Sequence, residues 1–160
     1  MRFLPLFLAY FLLFFNNSEA ALGDSDSPRY SCGLIATYIF LKKEGCGKDL
    51  SCNGLRSEFE NKPQPDSLSA IKDILGHHGC ETVGISADLD SFLLIKMPAI
   101  VYLRMTGKNS RKMGHFSVVT SVSQQNGVTL CDPLFKLSGQ ANIAWSDFKE
   151  IYGGFALTSL

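Results

Sequence analysis

Apolar residues fall along this chain in three regimes. Phe3 to Phe15 is an unbroken uncharged run behind Met1-Arg2. From Gly33 to Gly79 apolar positions recur at helical spacing, and beyond Cys80 they shorten into segments rich in Val, Ile, Phe and Thr. The first helical stretch, Gly33 to Glu44, is apolar on nearly every face, carries Lys42 and Lys43 in its last turn and stops at Gly45, as a buried helix does. A short helix over Leu55 to Asn61 ends at the Pro63-Gln64-Pro65 break. Asp66 and Ser67 then cap a third, with Leu68, Ile71, Ile74 and Leu75 on one face up to Gly76–Gly79.

The second half predicts strands over Glu81–Ile85, Ala99–Met105, His115–Ser123, Val128–Cys131 and Phe155–Leu160. Short helices are expected over Leu89–Ile95 and over Trp145–Tyr152, the latter capped by Ser146 or Asp147. Helices first and strands mostly later imply an α+β fold, with N-terminal helices packed on one side of an antiparallel sheet.

The run from Phe3 to Phe15 changes the domain reading. It is short of the about 20 apolar residues that span a bilayer and fits the about 7–15 of a signal-peptide core. Ser18-Glu19-Ala20 ends it, so residues 1–20 read as a signal peptide cleaved after Ala20, and 21–160 as a single exported domain, periplasmic or secreted. Left uncleaved, the same segment would be an N-terminal membrane anchor; that is where membrane contact would come from. Fifteen Lys plus Arg balance fifteen Asp plus Glu, which excludes nucleic acid as the main partner. A content of 46% apolar residues is that of a globular protein.

Export also changes how the five cysteines are read, because thiols outside the cytosol pair or stay free for a reason. Five is odd. Cys46 with Cys52, six apart in a Gly-containing stretch, and Cys80 with Cys131 leave Cys32 over; the four allow three pairings, and spacing does not choose among them.

Cys32 stands just before the buried helix, where unpaired N–H groups and the macrodipole favour the thiolate, the form that attacks a carbonyl carbon. His115 heads a strand in Gly114-His115-Phe116-Ser117-Val118-Val119, with Gly114 removing bulk beside the ring; a fixed imidazole there can take a thiol proton. Asp132, held extended by Pro133, ends the next strand, where a carboxylate can orient an imidazole. One difficulty is Asn126-Gly127, the signature of a two-residue hairpin. That register would set Asp132 opposite Ser121, six residues from His115, about 20 Å at 3.3 Å per residue. A shared proton requires a longer loop or a bulge, with pairing centred near Ser123 and Gln124, and the longer loop is expected.

These pieces, together with Pro98-Ala99-Ile100 entering a strand, Cys32-Gly33 opening a long helix, Cys131-Asp132-Pro133 and the Trp145–Leu160 tail, resemble the C39 family of papain-like cysteine peptidases, the double-glycine leader peptidases. The resemblance covers most of residues 21–160 in order. It implies a papain-like fold with Cys32 as nucleophile, His115 as general base and then acid, and Asp132 as the orienting residue. It also implies peptide-bond hydrolysis through a thioester, after Gly-Gly in the leader of an exported peptide, with no cofactor. The family carries a glutamine six residues before its cysteine to hold the oxyanion; here that position is Asp26. A carboxylate there repels the developing charge, and losing one donor costs on the order of 3 to 4 kcal/mol in the barrier. An alternative follows, a catalytically weak or inactive peptide-binding domain on the same fold. The family's best-known members are joined to an ATP-driven transporter. This sequence shows no phosphate-binding glycine loop and no second hydrophobic segment, so a separate peptide exporter is the expected partner.

His77-His78-Gly79-Cys80 has metal-ligand residue types, but adjacent histidines on a helix point apart and no second cluster lies near in sequence; no metal is expected. Lys108 to Lys112, with Arg111, reads as a solvated loop.

Overall fold

The computed structural model describes residues 31–160 apart from 48, 65–66, 107–111 and 133–138. The expected signal peptide, Asp26, the Asp66 cap, most of the 108–112 loop and Pro133 lie outside the described residues.

Three helices come first. Helix α1 (Cys32–Glu44) starts on Ser31, whose Oγ accepts from the Leu34 N–H at 3.3 Å, and stops at Gly45 with φ 75°. Helix α2 (Cys52–Glu60) starts three residues before the expected Leu55, because Ser51 caps it through the Gly54 N–H at 3.1 Å. Helix α3 (Leu68–His77) is capped by Ser67 through the Ala70 N–H at 3.1 Å. Strand β1 (Thr82–Ser86) and the one-turn helix α4 (Leu89–Phe92), capped by Asp88, follow. Strands β2 (Ala99–Thr106), β3 (Lys112–Ser123), β4 (Gly127–Cys131) and β5 (Ala141–Ile143) precede helix α5 (Trp145–Ile151) and strand β6 (Tyr152–Ser159). Neither Ser146 nor Asp147 caps α5; Ala144 holds that place without a side-chain bond.

The six strands form one sheet in the order β1-β6-β2-β3-β4-β5, each neighbour antiparallel. Its two faces follow the period of two along each strand. Ile100, Phe116, Val118 and Leu157 face α1–α3 and bury Leu34, Phe40, Leu41, Leu55, Ile71 and Ile74. Val101, Leu103, Val119 and Leu130, of the opposite parity, meet Phe92 of α4 and Trp145 and Phe148 of α5. The N-terminal helices thus lie on one side as expected, and the two short helices close the other.

The cysteine pairing is corrected. Cys46 bonds Cys80, while Cys32, Cys52 and Cys131 are free. Cys80 follows α3, which packs on α1 beside Cys46, and leads into β1. Cys131 ends β4, with β6, β2 and β3 between it and β1. At about 4.8 Å per strand that is roughly 19 Å, beyond any disulfide.

The Asn126-Gly127 turn is not the tight one. Ser123 pairs with Gly127 across a three-residue loop, and Ser123 Oγ accepts from the N–H groups of Gln125 and Asn126, both at 3.2 Å. Gly127 has φ 82°, and a Cβ there would stand 2.2 Å from the Ile143 carbonyl oxygen. Gly127→Ala should therefore destabilise the fold by about 3 kcal/mol, from left-handed strain plus the backbone clash. A lowered urea midpoint at unchanged m-value checks it.

Candidate active site

Cys32 is the first residue of α1, half-buried, on a helix whose Ser31 cap fixes where the chain enters. His115 is the fourth residue of β3, since the strand begins at Lys112, earlier than expected. Asp132 directly follows β4, and its N–H donates to the Gly139 carbonyl at 2.9 Å, which ties it to the segment leading into β5. Both side chains are buried.

Register explains how a strand residue and a strand end meet. Val118 pairs with Cys131, so Asp132 comes opposite Ser117, two positions from His115. The pairing centres near Gln125 rather than Ser123 and Gln124, with a bulge between Val119 and Ser121. Diagonal neighbours on a sheet face are about 7–8 Å apart, a gap that an imidazole and a carboxylate can close. Here His115 Nε2 and Asp132 Oδ2 are 2.5 Å apart.

With Nε2 committed to Asp132, Nδ1 is the ring nitrogen left for Cys32, to which His115 is also hydrogen-bonded. Burial alone would push the imidazole's pKa down. The hydrogen bonds to Asp132 and Cys32 and the charges behind them outweigh that and raise it to about 9. The imidazolium is thus favoured at neutral pH. The structure brings all three side chains around one cavity of about 80 Å³, whose remaining wall includes Ile35 and Ala36 of α1 and Ser117 of β3.

Gly114 is expected from the sequence to leave room beside the histidine ring. Instead its space is taken by Tyr102: a Cβ at Gly114 would lie 2.4 Å from Tyr102 Oη, and one at Gly153 2.4 Å from Tyr102 Cδ1. Tyr102 thus lies across two glycines of neighbouring strands and packs on Phe116, ring centroids 5.5 Å apart. The signal was present as Gly114 and Gly153, but which aromatic ring fills the gap depends on strand order.

His77 and His78 do not point apart. The helix ends at His77, so His78 turns, and both reach Glu58 of α2, His78 Nε2 at 2.8 Å and His77 Nδ1 at 3.9 Å. Among the described residues no group of three His, Cys, Asp or Glu is placed to hold a metal ion, and no helix is long and apolar enough to cross a membrane.

The model of the Peptidase C39 family matches residues 25–159. No curated protein matches the chain. Among solved structures, a double glycine motif protease from an AMS/PCAT transporter, in complex with its leader peptide, is similar at 15% identity and TM-score 0.64, over 82% of this chain and 85% of that one. The peptidase domain of Streptococcus ComA, a bi-functional ABC transporter of a quorum-sensing pathway, is similar at 24% identity and TM-score 0.63, over 82% and 93%. The N-terminal peptidase C39 like domain of a toxin secretion ATP-binding protein from Vibrio parahaemolyticus is similar at 17% identity and TM-score 0.53, over 81% and 96%. These three likenesses are likenesses of fold.

Proposed function

The chain belongs to the peptidase C39 family, which makes it a cysteine-type peptidase, and from that premise we propose that Cys32, His115 and Asp132 carry its chemistry. The observation behind this reading is the chain of contacts from Asp132 through the buried imidazole to a thiol at a helix start.

In the proposed reaction the Cys32 thiolate attacks the scissile carbonyl carbon. The C–N bond then breaks as His115 gives its proton to the leaving amine, and a thioester remains. His115, now neutral, takes a proton from water, which attacks the thioester carbon; the C–S bond breaks, the carboxylic acid product leaves and the thiolate–imidazolium pair is restored. Asp132 holds the ring so that Nδ1 faces sulfur and stabilises its charged form. The substrate in this reading is the leader of an exported peptide, cut after Gly-Gly. Residues 1–20 carry the enzyme out of the cytosol, and a separate exporter delivers the peptide. Family membership and the leader-bound fold neighbour support the substrate class.

The test is iodoacetamide labelling of Cys32 across pH 4 to 9, mapped by mass, alongside hydrolysis of peptides with and without Gly-Gly. An activated thiol in the wild type, lost in His115→Ala, with cleavage confined to Gly-Gly peptides, is the expected result. An ordinary Cys32 would sink the mechanism, and binding without cleavage would sink the activity at these residues.

A pH limit follows from His115. Since the step that expels the amine needs the imidazolium, turnover should decline as pH rises through about 9. Asp132 raises that pKa, so in Asp132→Asn the alkaline limb should move to lower pH. Rate profiles from pH 6 to 10 for both proteins check the sign.

A further inference from the structure

Ser117 is 1% exposed, lines the cavity shared by Cys32, His115 and Asp132, and its Oγ has no hydrogen-bond partner among the described residues. Three other buried hydroxyls are in that condition, on Thr82, Tyr152 and Ser159, but none of them lines this cavity. Leaving a hydroxyl buried and unpaired is unfavourable enough that it is paired in solution, either with water or with a ligand. Its place decides what it can serve. Ser117 lies two positions from His115 on β3, and the pairing of Val118 with Cys131 sets Asp132 opposite it. Residues two apart on a strand and directly across from one another share a side of the sheet. Of the other lining residues Ile35, Ala36, Ile39 and Phe116 are apolar, which leaves, besides His115 and Asp132, the Cys32 and Cys131 thiols, and Cys131 Sγ already donates to Thr120 Oγ1 at 3.9 Å. A cavity of about 80 Å³ is above the about 10–15 Å³ that one ordered water requires.

We propose that Ser117 is a positioning residue for Asp132: its hydroxyl donates to a water in this cavity, and the water donates to the Asp132 carboxylate. That tether holds the carboxylate in the diagonal pose from which Oδ2 reaches His115 Nε2. Ser117 acts through Asp132 and touches no reacting atom. Its consequence for reactivity rests on the reading of Cys32 and His115 given above.

The experiment follows iodoacetamide labelling of Cys32 from pH 5 to 10 in the full folded protein, mapped by mass because Cys52 and Cys131 are also free. It is paired with NMR titration of the His115 ring. Ser117→Ala should slow labelling between pH 6 and 8 by about tenfold, the worth of one hydrogen bond to a charged group. It should also move the His115 titration below about 9. Ser117→Thr should label nearly as the wild type does and Ser117→Val as slowly as Ser117→Ala; these two differ only in the hydroxyl, which keeps the test valid if alanine impairs folding. Added to Asp132→Asn, Ser117→Ala should slow labelling no further, as two members of one tether must. Equal rates for Ser117→Thr and Ser117→Val overturn the proposal. So does a Ser117→Ala effect of full size in the Asp132→Asn background, which would mark a contact independent of Asp132. If Cys32 proves an ordinary thiol in the wild type, the nucleophile reading fails on its own. The His115 titration then decides for Ser117, and an unmoved titration in Ser117→Ala overturns it.

Discussion

Cys32→Ala is expected to leave no measurable peptide hydrolysis, and His115→Ala to lower kcat by a factor of about 10² to 10⁴, the usual contribution of a positioned acid–base group. The two losses differ in kind. Without the thiol no thioester forms, whereas without the imidazole the thiol persists but loses its charged partner and the leaving amine its proton donor. The double variant should accordingly be no slower than Cys32→Ala alone, because the residues act as a unit. Neither loss should come from unfolding. The α1 cap is Ser31, and the half-buried Cys32 can become alanine while that cap and the Gly45 stop remain. Steady-state kinetics on a Gly-Gly peptide, with thermal unfolding of each variant as control, measure both. Residual turnover in Cys32→Ala comparable to wild type would remove this site from the chemistry altogether.

Breaking the Cys46–Cys80 bridge should produce the largest loss of stability. The bond closes a loop of sequence separation 34, for which loop entropy gives about 4 kcal/mol, whereas a Cys46–Cys52 bridge would supply only about 2 kcal/mol. It also joins the end of α1, the helix that presents Cys32, to the end of α3. Cys80→Ala should therefore lower the urea-derived stability by about 4 kcal/mol, and reducing agent should have the same effect on the wild type but little on the variant. Cys52→Ala should change the midpoint far less, since Cys52 is free and half-buried. If Cys52→Ala matched Cys80→Ala, the connectivity would be wrong. Peptide mapping without reduction reads the same point directly.

Much of the fold was legible wherever one local signal decided one local structure. The apolar run ending in Lys42, Lys43 and Gly45 specified α1, and Ser67 before Leu68, Ile71 and Ile74 specified α3, because caps and helical periodicity act within a few residues. The segments rich in Val, Ile, Phe and Thr marked five of the six strands for the same reason. Strand β5 escaped, since three residues carry no period and Ala141–Ile143 is extended only by pairing with Val128–Leu130. The residue types of the site were also legible: a cysteine at a helix start, a histidine in a strand, an aspartate at a strand end.

What joins distant segments belonged to the tertiary structure. The cysteine partners depended on which helices pack together and on how many strands separate β1 from β4, neither of which spacing encodes. The meeting of His115 with Asp132 depended on a register that Asn126-Gly127 misreported, because the Ile143 carbonyl of β5 and the Ser123 hydroxyl help select the loop that Gly127 adopts. Ser117 shows the same limit. In sequence it is one more strand residue, and only the pairing of Val118 with Cys131 sets its hydroxyl across from Asp132 beside the cavity. The sequence by itself determined the elements, their order and the chemical groups available, because those follow from local backbone preference and periodic burial. Only the folded chain decided which of those groups touch, because contact is a property of packing between segments far apart along it.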